Sequence, residues 1–370
     1  MPLLDRYLAK EILLPFAAGV LFLTQILLAT QLLSQAPVLF GSGVSLGDVG
    51  MVVVYLLPHF LGYVLPIAFL LGAVLGVGRL AEDREVVALG AAGLSPARLV
   101  RVPLLLGVVL AAASLWLAGD LEPRSLAAAR ERLVEVVKRN IRNDVRPGTF
   151  YDQIPGTTLY AERVHGGRWE NVLISDRSDP AAPVLALARE GRLEPVGDGA
   201  EMELALQGGE LHRATPEQDE YVLATFERAE VVLALGTALS DRGGLARTSP
   251  DSFADLARRA AEHRARGEER DALRAEASLH RKIASALALI PFALLAVPLG
   301  AARRAGRAFG VGATIGVVIV HYLLLRSGQV MGQKGTLPPW LALELPTLIL
   351  SAAALLLIAL QVRRGAGAVR

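Results

Sequence analysis

Four charged side chains stand side by side at Glu82, Asp83, Arg84 and Glu85, within "RLAEDREVVALGAAGLSPARL" at 79–99. Almost uncharged runs flank them, "MVVVYLLPHFLGYVLPIAFLLGAVLGVG" before and "VPLLLGVVLAAASLWLAG" after. Such a group can engage a charged groove on another protein, but it does no covalent chemistry without a nucleophile or metal beside it. The residue patterns that carry such chemistry are missing. Cysteine is absent, which excludes disulfides and thiolate metal sites. Neither G-x-S-x-G nor the phosphate loop G-x-x-x-x-G-K-[ST] occurs, and "GQVMGQKGT" at 328–336 fails the spacing of the latter. His165 and His212 lie far apart without metal-ligand spacing. His59 and His321 sit in apolar runs without a mid-run carboxylate to make a proton relay. The chain therefore reads as a non-enzyme with no implied cofactor or metal.

The elements that position the charge group follow from composition. Of the 370 residues 53% are hydrophobic and 20% charged, against about 45–50% and about 25% in soluble chains. The excess is concentrated in six blocks, approximately 12–34, 51–78, 102–118, 283–302, 308–325 and 340–362, the last holding Glu344. One bilayer-spanning helix needs about 20 such residues. The expectation is an α-helical membrane protein with six transmembrane helices. The first block is too long for a cleavable signal and lacks a cleavage site. A net charge of +2 without a basic, aromatic-studded patch implies no nucleic-acid partner.

Short loops set orientation through Lys and Arg. Arg6 and Lys10, then Arg79, Arg84, Arg98 and Arg101, the "RRAGR" loop at 303–307, and the tail with Arg363, Arg364 and Arg370 all fall on one side. The alternate loops hold only Lys334. Both termini are expected in the cytoplasm, with 122–282 outside, since long segments translocate largely regardless of charge.

That outer segment changes character at 149–237. Short pieces with period two, "TTLYAERV", "NVLISD", "PVLALARE", "EMELALQ", "YVLATF" and "AEVVLAL", are punctuated by Gly166-Gly167, Pro180 to Pro183, Gly197-Asp198-Gly199, Gly208-Gly209 and Pro216. They predict an all-β, jellyroll-like domain inserted between helices three and four. Amphipathic helices should flank it, one over roughly 124–140 and one that begins near the Ser249-Pro250-Asp251 signal and runs towards the fourth span, broken near Gly267. The expected domains are 1–121, 122–282 and 283–370.

The charge group itself is expected to open a short helix over 80–92, with Leu80, Val87 and Leu94 seven apart and Val86, Leu89 and Gly90 adjoining. Glu82, Asp83 and Glu85 would occupy its first turn, where carboxylates suit the helix dipole. Gly93 would be its C′ residue, and Ser95-Pro96 would cap the next helix. Pro58, Pro66, Pro291 and Pro298 predict kinks, and Gly72, Gly76, Gly310, Gly312 and Gly316 predict close helix approach.

These residues carry a family likeness. "RYLAKE" at 6–11, "GRLAEDREVVALGAAGLSPARL" at 78–99, "LHRKIASALALIPFALLAVPLG" at 279–300 and "RRAGR" resemble the lipopolysaccharide-export permeases LptF and LptG. The strongest motif is E-x-x-A-L-x-A-A-G-L-S from Glu85 to Ser95, and "HYLLLRSGQVMGQKGTLPPW" at 321–340 is closer to the LptF branch. The resemblance implies an inner-membrane permease subunit of an ATP-driven exporter, which extracts lipopolysaccharide and passes it to a periplasmic bridge.

Its implied partners are a dimeric LptB-like ATPase, which would hydrolyse the ATP, a paralogous LptG-like permease, a single-span LptC-like jellyroll protein and an LptA-like bridge. Glu82, Asp83, Arg84, Glu85, Leu89 and Gly93 would form the ATPase-coupling element. Arg281, Lys282, Arg326 and Lys334 are the candidate lipid-binding cations, and Gln31 and Ser34 stand where relatives often carry bases. A permease for another envelope lipid, a non-transporting scaffold and an ion-coupled transporter are the alternatives. The acidic helix argues against the scaffold, and the missing mid-span carboxylates argue against ion coupling.

Overall fold

Ten α-helices and one β-sheet make up the described part of a computed structural model, which covers residues 2–34, 45–144, 147–154, 156–165, 167–177, 183–196, 201–215, 220–234, 251–301 and 306–367. The helices are α1 Pro2–Ser34, α2 Leu46–Glu82, α3 Glu85–Ala91, α4 Pro96–Trp116, α5 Glu122–Asp144, α6 Phe253–Ala265, α7 Glu269–Leu287, α8 Leu289–Gly300, α9 Gly306–Gln333 and α10 Pro339–Gly367. A π-helical turn, Leu117–Leu121, joins α4 to α5. Six helical stretches are long and apolar enough to cross a membrane: Leu3–Ser34, Leu46–Glu82, Ala97–Leu133, Glu269–Gly300, Gly310–Gln333 and Pro339–Arg363. This is a multi-pass membrane protein. The helices overrun the charge-free blocks because charged residues at helix ends do not stop backbone hydrogen bonding.

The chain divides into two compact units. The first, Met1–Leu27, Leu57–Arg124 and Asp251–Arg370, holds most of the helical bundle. Its main core joins Leu8 and Ile12 of α1, Phe69, Ala73, Val77 and Leu80 of α2, Leu99 and Val102 of α4, and Leu289, Ala293 and Val297 of α8. Small residues permit this packing. A Cβ at Gly72 would lie 2.6 Å from the backbone N of Phe16, and one at Gly76 would lie 2.6 Å from the Glu11 carbonyl oxygen. Gly310 meets Val74 at 3.2 Å, whereas Gly312 and Gly316 have nothing within 4 Å, so the expected close approach fails at those two. Pro58 and Pro66 lie inside the unbroken α2. Pro291 lacks the N–H that the carbonyl of Leu287 would receive, and the helix breaks at Ala288 between α7 and α8. Pro298 stays within α8.

The second unit, Leu28–Leu56 and Ser125–Pro250, carries the β domain. Its strands are β1 Thr149–Ile154, β2 Thr157–His165, β3 Arg168–Asp176, β4 Val184–Val196, β5 Glu201–Thr215 and β6 Glu220–Ala234. All pair antiparallel in chain order, β1 to β6, so the inserted domain is all-β as expected. "YVLATF" and "AEVVLAL" prove to be one strand, β6.

Gly208-Gly209 lies inside β5 rather than at a turn. A Cβ on Gly209 would meet the Leu187 carbonyl oxygen at 2.1 Å and Phe226 at 2.6 Å. Here glycine serves close backbone approach, the other use of the residue in strands.

The ladder is also interrupted along one line, Glu162, Asn171, Arg189, Gly208 and Glu227, where no partner pairing is made. Asn171 and Gly208 there adopt positive φ, 49° and 61°. The alternation of side chains reverses across this crease. Val172 and Ile174 on one side and Trp169 on the other are all buried. A Cβ on Gly191 would touch both Val172 (3.0 Å) and Leu206 (3.3 Å), so the two halves close on one apolar interior.

Helices flank the sheet in sequence. Ser45 caps α2, exchanging bonds with Asp48, and Arg132 of α5 reaches the buried Asp48 carboxylate at 2.6 Å. α6 starts beside the expected signal, from the N-cap Ser252, where Ser252 and Asp255 form a reciprocal capping box. Ser249 and Pro250 lie outside the described residues, as do Gly166, Pro180, Gly197 to Gly199, Pro216, Arg303, Arg304 and Arg370. The break after α6 falls at Gly267, φ 76°, as expected.

Candidate functional site

The charge group does not open a helix as a block. α2 continues to Glu82, Arg84 takes a left-handed conformation with φ 58°, and α3 begins only at Glu85. The Asp83 N–H still donates to the Arg79 carbonyl (3.0 Å) and that of Arg84 to Ala81 (3.2 Å), so α2 unwinds late. Of the three carboxylates only Glu85 stands in the first turn of α3. The other end is as expected. Gly93, φ 85°, donates to the Gly90 carbonyl, and Leu94 donates to that of Leu89, a Schellman stop. Ser95 is the N-cap of α4, with Pro96 following, although its side chain makes no cap bond.

Of the expected apolar face, Leu80, Val86 and Leu89 turn inward and Val87 does not. Val87 is 49% exposed, while Val86 and Leu89 pack on the core cluster that contains Leu8, Ile12, Leu80 and Leu99. Glu85 is half-buried too, and it accepts a hydrogen bond from the Tyr7 hydroxyl at 3.1 Å. Arg79 pairs with Glu11 at 3.1 Å, and Arg98 with Asp5 at 3.3 Å. The outward surface is Glu82, Asp83, Arg84, Val87, Ala88 and the small residues Gly90 to Gly93. Asp5, Tyr7 and Glu11 escaped sequence reasoning because they lie some 70 to 90 residues away along the chain.

The proposed lipid-facing residues are not equivalent. Arg326 is exposed and bonded to Gln329 one turn on at 3.1 Å, and Lys334 is exposed just beyond α9. Arg281 is half-buried and donates to the Tyr63 hydroxyl at 3.2 Å. Gln31 and Ser34 close α1, with the Ser34 hydroxyl bonded to the Gln31 carbonyl at 2.7 Å. Lys282 differs from the rest, being 6% exposed. Its ammonium donates to the carbonyls of Ala118 (3.3 Å) and Asp251 (3.1 Å) and faces the Glu122 carboxylate at 3.4 Å. Its ammonium is turned inward.

Glu122 also meets His59 Nδ1 at 2.9 Å. His59 therefore has the carboxylate partner that the apolar runs alone did not reveal. The π-helical turn adds one residue per turn ahead of Glu122 and sets its phase. His321 is 1% exposed, its Nδ1 unpartnered among the described residues and its ring edge-on to Phe292. His263, Glu268 and Asp271 bring their ligand atoms within 4.8 Å, but His263 already pairs with Glu268 across the α6–α7 turn.

The sheet ends in β6, which has no neighbour on its outer side among the described residues. Tyr221, Val222 and Leu223 there are 65%, 47% and 55% exposed. An unpaired strand edge with exposed apolar residues at one end is a template for another strand.

Residues 6–360 match the family described as "Lipopolysaccharide export system permease LptF/LptG". The chain is 25% identical over 364 residues to the lipopolysaccharide export system permease protein LptF of Escherichia coli K12, covering 95% of this chain and 93% of that protein. The LptF proteins of E. coli O157:H7 and Shigella flexneri match to the same extent.

Proposed function

The chain belongs to the LptF/LptG family of lipopolysaccharide export permeases, and on that premise we propose that it is the permease subunit of an ATP-driven extractor in the inner membrane. In this reading the arginine-rich short loops and both termini face the cytoplasm, and the β domain stands in the periplasm. The observation that carries the reading is the exposed Glu82-Asp83-Arg84 break beside α3, a rigidly stopped projection between two long helices. The sequence has no phosphate loop, so a partner ATPase would press on this projection. Glu82, Asp83 and Arg84 would make the contact, while Glu85 and Leu89 transmit it inward and Gly93 ends the lever.

Arg326 and Lys334 are the exposed cations suited to lipid phosphates, Arg281 is a half-buried third candidate, and Gln31 and Ser34 at the end of α1 are polar candidates in their own right. The apolar edge of β6 supports docking of a second β domain by strand addition, as a single-span jellyroll partner would require. A paralogous permease would complete the cavity, and a periplasmic bridge would receive the lipid. The test is co-purification with a soluble ATPase, followed by photo-crosslinking from position 326 to lipopolysaccharide. Capture of another lipid at that position would indicate a different cargo, and absence of an ATPase would overturn the reading.

A further inference from the structure

We propose that the first turns of α1 form a second arm of the lever, carrying movement of α3 directly into the first membrane span. The inference rests on the ATPase-coupling role proposed above, and it concerns where the force goes once it has entered. Three polar links from α1 bracket the projection. Glu11 holds Arg79 before the break, Tyr7 holds Glu85 at the start of α3, and Asp5 holds Arg98 at the start of α4.

Apolar packing lies behind these links, with Leu8 and Ile12 at 1% and 0% exposure in the cluster on which Val86 and Leu89 rest. Further along, α1 lies against α2 backbone to backbone at Gly72 and Gly76, and Ala68 comes within 3.4 Å of a Cβ at Gly19. Beyond Gly19, Leu21 and Phe22 are 73% and 62% exposed. The inner half of α1 is thus clamped to the lever and the segment after it is open to lipid. A push on α3 shifts the whole inner half of α1, because packed elements move as bodies rather than deform. Exposed ion pairs alone would be too weak for this, but here they orient a packed contact.

The test uses the full chain in its complex with the ATPase, reconstituted in phospholipid vesicles containing lipopolysaccharide. Asp5→Ala, Tyr7→Phe and Glu11→Ala together remove the polar links without touching the projection's outer face. ATPase binding and basal hydrolysis should persist, and lipid extracted per ATP should fall about fivefold, the scale of one lost hydrogen bond. An unchanged ratio would overturn the arm alone. Failure of the unmodified chain to bind the ATPase would overturn the coupling role and the arm with it.

Since the chain has no cysteine, a second variant, Asp5→Cys with Arg98→Cys, can be bridged by a short bis-thiol reagent. If α1 and the base of the projection at the start of α4 move as one body, the bridged protein keeps extracting lipid. Loss of extraction that is restored by reducing the bridge would show that they slide, and would overturn the proposal.

Discussion

Lys282→Met isolates the buried bridge that joins α2, α5 and α7. Methionine keeps the length of the apolar stem but deletes the donations to Ala118, Asp251 and Glu122. Two carbonyls lose a donor at about 1 kcal/mol each, and Glu122 is left with His59, 2.9 Å away, as its partner among the described residues. Breaking one side of a buried pair costs about 3–5 kcal/mol in soluble proteins. Polar contacts between membrane helices average nearer ~0.6 kcal/mol because the unfolded state also finds partners. Three donations lost at once, with the side chain 5% exposed, place the expected loss near about 3 kcal/mol. Adding Glu122→Gln removes the stranded charge and should recover about half of it, since apolar or neutral replacements of buried pairs are often tolerated. Thermal unfolding in detergent, followed by circular dichroism over the full double-mutant cycle, measures both. A single variant within about 0.5 kcal/mol of the parent, or strictly additive effects, would refute the bridge.

Two further outcomes follow from local geometry. Gly72→Val should disrupt α1–α2 packing, because even a Cβ would meet Phe16 backbone atoms at 2.6–2.7 Å; an unchanged melting temperature would contradict this. The Asp255 carboxyl is held below the usual carboxylate range by hydrogen bonds from the Ser252 hydroxyl and then its N–H. Its stabilisation of α6 is therefore complete above the ordinary carboxylate value and lost as pH falls through the lowered one. Ser252→Ala should raise the Asp255 titration midpoint in carboxyl NMR, and an unmoved midpoint would deny the capping box.

What could be read in the sequence was local. Charge-free blocks, Gly93 as a helix stop, the Ser95-Pro96 start and the Gly267 break each depend on neighbours a few residues away. What escaped it depended on distance along the chain or on a residue with two uses. Lys282 reads as a lipid cation until Glu122, 160 residues away, is placed beside it. Glu85 reads as outward until Tyr7 arrives, and the left-handed Arg84 has no signature in residue type. Gly208-Gly209 reads as a turn because glycine also marks turns, whereas here it creases a strand.

The central claim is that the acidic projection faces the compartment of the ATPase while the β domain faces the other. Single cysteines at Asp83 and at Leu187, which is 37% exposed in the sheet, report this directly in a chain with none of its own. With an impermeant maleimide on cells whose outer membrane alone is permeabilised, position 187 should label at once, and position 83 only after the inner membrane is opened. Labelling of position 83 from the outside, with 187 protected, would contradict the account.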